Sequence, residues 1–278
     1  MAVIFSLLTA AIYGTSDFCG GIATRRAPVL QVVAGSHLVG LLGATAAALL
    51  VADRFDTGDF ALGAAGGAFG AVAITLLYRR LAVGPMQVVA PLTAITSAAV
   101  PAAWGATSGE QISSTAWVGV GLGLVAIGLV ARPSGGSSAP VTATVIVESL
   151  AAGVGFGAFF IFLDATEASS APWPVVGARL CTVAVLVPFM SWTRRPMLTG
   201  GSLTLALIAT TGLLDTAANV TFLYASNRGL LTLVAVVSSL YPVATVILAR
   251  LVLAERMTRQ QLAGFLVALA ATVLIAAA

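Results

Sequence analysis

The chain has 278 residues, 59% hydrophobic and 8% charged, with a mean hydropathy of +1.05 and a formal net charge of +3. A soluble domain carries roughly 25% charged residues, so this composition excludes a water-facing globule and makes lipid the solvent. Every basic residue is arginine and most lie in short connections, which excludes a nucleic-acid-binding patch.

Crossing the hydrocarbon takes about 20 apolar residues. In chain order, such stretches run at roughly 2–24, 29–51, 60–81, 86–105, 114–131, 141–164, 172–192, 202–225, 230–251 and 259–278. The start MAVIFSLL lacks the basic region of a secretory signal, so the first span is expected to stay in the mature protein. Turn and charge residues separate the spans: RRAP, DRFDTGD, YRRLAVGP, TSGEQIS, RPSGGSSAP, ATEASSAP, TRRPM, SNRG and AERMTRQ. Alternating β-barrel patterning is absent. Inside lipid a helix satisfies its own backbone, so the expected fold is an all-α polytopic bundle of ten transmembrane helices. Cys19 and Cys181 sit in apolar runs without CxxC spacing and read as core residues.

Arginine placement orients the bundle. Arg25 and Arg26, Arg79 and Arg80, Arg132, Arg194 and Arg195, and then Arg250, Arg256 and Arg259 all fall in odd-numbered connections. In the even ones Asp53, Asp56 and Asp59 outweigh Arg54, and Glu110 and then Glu167 near Asp164 follow; only Arg228 breaks the pattern. By the positive-inside rule the odd connections face the cytoplasm of a multi-pass cell (plasma) membrane protein, with both termini outside.

The chain is written twice. Residues 89–130 align without a gap on 234–275, matching Glu110 to Glu255, Gly119 to Gly264 and Thr93 to Ser238. TLLY at 75–78 matches TFLY at 221–224, and IYG at 12–14 faces GFG at 155–157. The expected halves are residues 1–131 and 141–278, joined by a Pro/Gly/Ser-rich linker at 132–140. Five helices is an odd number, so the second half enters the membrane upside down. Inverted repeats of this kind are the architecture of alternating-access carriers.

Ten spans, inverted halves and a Glu opening the last helix of each half resemble the EamA-type family of the drug/metabolite transporter superfamily. The resemblance rests on YGTSDF at 13–18, GE at 109–110 with W-x-G at 117–119, and AERMTRQQLAG at 254–264. It implies export of amino acids, drugs or metabolites, or sugar import. It also implies a central cavity among spans 1–4 and 6–9, with spans 5 and 10 peripheral. Many such relatives carry basic residues between spans 2 and 3, where this chain has DRFDTGD; the arginine count sets the orientation taken here.

A charge at the bilayer centre costs at least ~2.5–3.5 kcal/mol, which directs attention to Asp17, His37, Glu148, Arg179 and Asp215. At ~1.5 Å per residue, Arg179 and Asp215 lie roughly 10 and 15 Å from the outer end of adjacent spans 7 and 8. They are expected to pair, either as a structural contact or beside a wet cavity. Asp17, His37 and Glu148 are expected roughly 10–12 Å from the inner face, where a carboxylate beside a histidine handles protons; packing roles for His37 and Asp17 compete with that. Asn219, one turn beyond Asp215, joins Thr93, Ser238 and Tyr241 as expected cavity residues. Pro91 and Pro242 stand as paired hinges, since proline frees a carbonyl four residues back.

Tyr78 and Tyr224 read as interfacial anchors or cavity residues, and Trp117, Trp173 and Trp192 as an aromatic belt. Overlapping GxxxG spacings at Gly63, Gly66, Gly67 and Gly70 serve helix packing. There is no Walker sequence or dinucleotide fingerprint, no HExxH, no GxSxG and a single histidine. No cofactor, metal or catalytic residue is therefore expected. The expected function is a secondary transporter, an exporter of small organic solutes with proton coupling. The expected partners are a small-molecule substrate and the bilayer, with no nucleic acid, the chain acting as a monomer or weak homodimer. A lipid-linked sugar flippase and a non-transporting membrane scaffold are the alternatives.

Overall fold

The structure, a computed structural model, describes residues 1–83, 86–130, 142–194, 196, 200–253 and 258–276. The expected linker at 132–140, with Arg132, Arg195, Glu255 and Arg256, lies outside them. The described residues are helical with no strand. In order, the helices are α1 (Ala2–Thr24), α2 (Val29–Val51), α3 (Thr57–Val83), α4 (Met86–Thr107), α5 (Ser114–Val130), α6 (Ala143–Asp164), α7 (Trp173–Trp192), α8 (Ser202–Ser226), α9 (Leu231–Ser238), α10 (Tyr241–Leu253) and α11 (Arg259–Ala276). Seven are long and apolar enough to cross a membrane: α1, α2, α3, residues 89–107 of α4, α6, α7 and α8. Their exposed faces carry Leu42, Leu49, Val72, Val147 and Val185, as a lipid solvent requires.

The expected ninth span is two helices. Residues 239 and 240 form a turn between α9 and α10. Pro242 lacks the N–H that would bond the Ser238 carbonyl, and the chain breaks there. Pro91, by contrast, lies inside an unbroken helix, as does Pro101. The two near-matching prolines thus differ in their local structure in this conformation.

Packing couples the first five helices to the last six. α1 rests on α8 and α10, α3 on α6 and α7, α4 on α6 and α9, α5 on α11, and α2 on both α7 and α8. Small residues make the approach close. A Cβ built on Gly63 would collide with the Pro174 carbonyl, and one on Gly67 with the Ala178 backbone, both on α7; Gly66 and Gly70 of the same helix face Phe162 and Phe159 of α6. The glycine run thus packs two neighbours at once. Bulky rings fill the middle, led by Phe160 stacked on Phe222 at 4.2 Å between centroids.

The connection after α2 is strapped to the one after α6. Arg54 donates from its backbone N–H to the Ser169 carbonyl (3.1 Å), from Nε to Ser169 Oγ (3.0 Å) and from Nη2 to Glu167 Oε2 (2.7 Å). Asp59 accepts from Ser170 Oγ at 2.6 Å and from the Glu167 backbone N–H at 3.1 Å. Phe55 meets Trp173 edge-on, with ring centroids 5.0 Å apart. Trp173 thus caps this face from within, while Trp192 is 85% exposed.

Candidate functional site

At the middle of α8, Asp215 is 8% exposed; Arg179 of α7 is 4% exposed. Arg179 Nη2 donates to Asp215 Oδ2, and Arg179 Nε donates to Thr216 Oγ1 at 3.2 Å. Asn219 Nδ2 donates to the Asp215 carbonyl at 2.6 Å, and Tyr13 OH of α1 donates to Asn219 Oδ1, also at 2.6 Å. One chain of bonds therefore runs from α7 through α8 to α1. A charge-assisted pair of this kind is stronger than a neutral hydrogen bond, and burial raises the cost of losing either partner.

The pair does not arise from neighbouring helices. α7 and α8 barely touch; α2 packs against both. The arginine crosses at Gly40 of α2, where an added Cβ would sit 3.3 Å from Arg179 Nε and collide with Thr216 Oγ1. Gly40→Val is therefore expected to separate the pair and destabilise the bundle by roughly 1–3 kcal/mol, the usual range for overpacking. Thermal denaturation in detergent checks it, with Gly121→Ala as control, since no atom lies within 4 Å of a Cβ there.

The network borders a small cavity of about 20 Å³, lined by Tyr13, His37, Arg179, Thr182, Asp215 and Asn219 on the polar side and by Ile74, Phe156 and Phe159 on the apolar side. That is room for about one water. His37 is 4% exposed and its Nδ1 has no hydrogen-bond partner among the described residues. Its electrostatic neighbour is Arg179.

Residues 143–277 match the model of the EamA-like transporter family. Through this stretch, a little under half of its length, the chain is similar to the EamA-like transporter family. A solved crystal structure superposes at a TM-score of 0.76 over 98% of this chain and 95% of its own, with 18% sequence identity. That likeness speaks for the shared fold alone. A comparison with curated proteins gives no match.

In this EamA-like chain the expected inner cluster does not form. Glu148 sits away from Asp17 and His37, ion-paired with Arg80 (Nε to Oε2, 2.7 Å) and Arg79 (Nη1 to Oε1, 3.8 Å). The reason is the length of α3, which runs to Val83 and carries both arginines inside the helix; Arg80 is turned inward at 9% exposed. Asp17 feels Asp215, not His37. It is 6% exposed, and no described residue offers it a hydrogen bond or an opposite charge. Tyr13, Tyr78 and Tyr241 all lie within reach of its field.

The remaining expected cavity residues hold helix seams. Thr93 donates to the carbonyls of Val89 and Ser149, both at 3.0 Å, tying α4 to α6. Tyr241 OH donates to the Ala90 carbonyl at 3.2 Å while its ring packs on Tyr13. Ser238 is buried with no partner for its Oγ among the described residues. Tyr78 is 1% exposed against Gly20, so it is no interfacial anchor. Tyr13, Thr182, Thr216, Phe156 and Phe159 were not singled out from the sequence as site residues. Tyr13 and Thr216 had a signal, because Tyr13 shares a helix face with Asp17 and Thr216 adjoins Asp215; the others had none, being ordinary residues in apolar helices.

Proposed function

We propose that this multi-pass membrane transporter is a secondary carrier, exporting a small organic solute by alternating access around the Arg179–Asp215–Asn219–Tyr13 network, with protons as the coupling ion. The observation that carries this reading is a buried ionic network beside a cavity in a bundle whose packing reads the same when its halves are exchanged. α1 lies on α8 as α6 lies on α3. α2 lies on α8 as α7 lies on α3. α1 lies on α10 as α6 lies on α4, while α2 with α7, α4 with α9 and α5 with α11 pair with their own counterparts.

Direction supports inversion. Glu110, beyond the end of α4, accepts from the Thr232 N–H at the start of α9 (3.2 Å), and Tyr241 of α10 reaches Ala90 near the start of α4. Counterpart segments thus run antiparallel, which supports ten crossings in two inverted halves, 1–131 and 141–278, with the termini outside and the arginine face in the cytoplasm of the plasma membrane. Asp17, not the expected Asp17–His37 couple, is the group we take to carry the proton, since, unlike Glu148 and Asp215, it has no ion pair with a described residue.

The assay is flux of labelled amino acids, sugars and hydrophobic cations in proteoliposomes, with and without a pH gradient. The reading expects at least one solute to move, faster with the gradient. No flux of any of them would favour a scaffold. The polar lining of the central cavity weighs against a lipid-linked sugar flippase.

A further inference from the structure

Chemically different contacts join two counterpart helix pairs, α6 with α3 and α1 with α8. Under the IYG/GFG register Glu148 of α6 matches Phe5 of α1, and under TLLY/TFLY the end of α3 matches the end of α8. On the arginine face, Glu148 binds Arg80 at 2.7 Å and Arg79 at 3.8 Å, joining α6 to α3. On the opposite face, Phe5 meets Tyr224 with centroids 6.1 Å apart, and Arg228 lies 5.5 Å from the Phe5 ring and 5.3 Å from that of Tyr224, joining α1 to α8.

We infer that these are the two gates of the carrier: an ion-pair latch, Glu148 with Arg80, on the arginine face, and a cation–π clasp, Arg228 over Phe5 and Tyr224, on the other. The inference rests on the inverted-repeat reading above. Physical asymmetry follows. The latch depends on two opposite charges, both largely withdrawn from water, with side chains 18% and 11% exposed. The clasp depends on a solvent-exposed cation over ring faces, where attraction is weaker. Counterpart helix pairs therefore separate at different free-energy costs, and the resting preference for one face is set by residues outside the central site. Glu148, expected from the sequence to line the cavity, thus becomes a residue that controls access to it.

Distances between spin labels test this without any substrate, in a Cys19→Ala/Cys181→Ala background. One pair, at exposed Val83 and Val147, flanks the latch; another, at Ile4 and Asn227, flanks the clasp. In the parent both pairs are expected to be short. Glu148→Gln and Arg80→Gln are each expected to shift the Val83–Val147 pair alone to longer distances. The swap Glu148→Arg/Arg80→Glu restores it, and Arg228→Gln shifts the Ile4–Asn227 pair alone. Unchanged distances in the Glu148→Gln and Arg80→Gln variants, or both pairs shifting together, would overturn the latch. If those two variants do not fold, the swap and Arg228→Gln decide. A swap that folds without restoring the parent distance, or an Arg228→Gln variant that leaves its pair unmoved, overturns the assignment. Normal solute flux alongside such a result would leave the carrier reading standing, whereas absent flux in the parent would overturn that reading instead.

Discussion

Arg179→Leu is expected to abolish solute flux and to destabilise the protein by about 3–5 kcal/mol, because it leaves Asp215 buried without its counter-ion. The carboxylate sits 8% exposed in mid-helix, and Thr216 and Asn219 supply no positive charge to replace the guanidinium. The double variant Arg179→Leu/Asp215→Leu removes both charges and is expected to regain most of the stability, since an apolar pair of similar volume often serves as well as an ion pair. It is not expected to regain flux. Thermal denaturation and proteoliposome flux, measured on the same preparations, separate the two roles. A double variant that transports normally would reduce the pair to a structural contact.

Asp17→Asn is expected to remove the link between solute movement and the pH gradient while leaving the fold intact. The amide matches the protonated carboxyl in size and can no longer exchange a proton. The surroundings favour this role: Asp215 is the nearby charge, the three tyrosines supply no cation, and an unpaired charge in the bilayer core costs at least ~2.5–3.5 kcal/mol. With one pH unit across the membrane, one-for-one exchange supports at most about a tenfold ratio of an uncharged or zwitterionic solute, because one unit corresponds to ~1.36 kcal/mol. Wild type is expected to approach that ratio and Asp17→Asn to stop at equal concentrations. His37→Gln is expected to behave as wild type, since His37 lies against Arg179, away from Asp17. Accumulation by Asp17→Asn equal to wild type would show that the proton travels elsewhere.

Much of the architecture was legible because the physics is one-dimensional. Twenty apolar residues in a row have few alternatives in lipid, and spans one and two fall on α1 and α2 to the residue. The proposed repeat rests on small motifs, such as TLLY at 75–78 and TFLY at 221–224, that occur in both halves. Side-chain partnership was legible only in part. Arg179 and Asp215 declared themselves as opposite charges at similar depth, but the route between them, across α2 at Gly40, is a property of packing and left no local mark. Glu148 was misplaced because depth along a helix says nothing about which face it presents. It looked like a companion of Asp17 and His37, and faces α3 instead. The break before Pro242 and the unbroken helix through Pro91 differ, and the gapless register sets Pro91 opposite Val236 and Pro242 opposite Ser97, so the two prolines do not occupy the same place in the two halves.

Alternating exposure of one central position tests the account most directly. Thr182 lines the central cavity beside Arg179 and Asp215. Thr182→Cys, in a background freed of Cys19 and Cys181, is to be treated in oriented vesicles with a membrane-impermeant thiol reagent applied from one face or the other. The account predicts labelling from both faces, with transported solute slowing each. Labelling from a single face under every condition, or from neither, would contradict it.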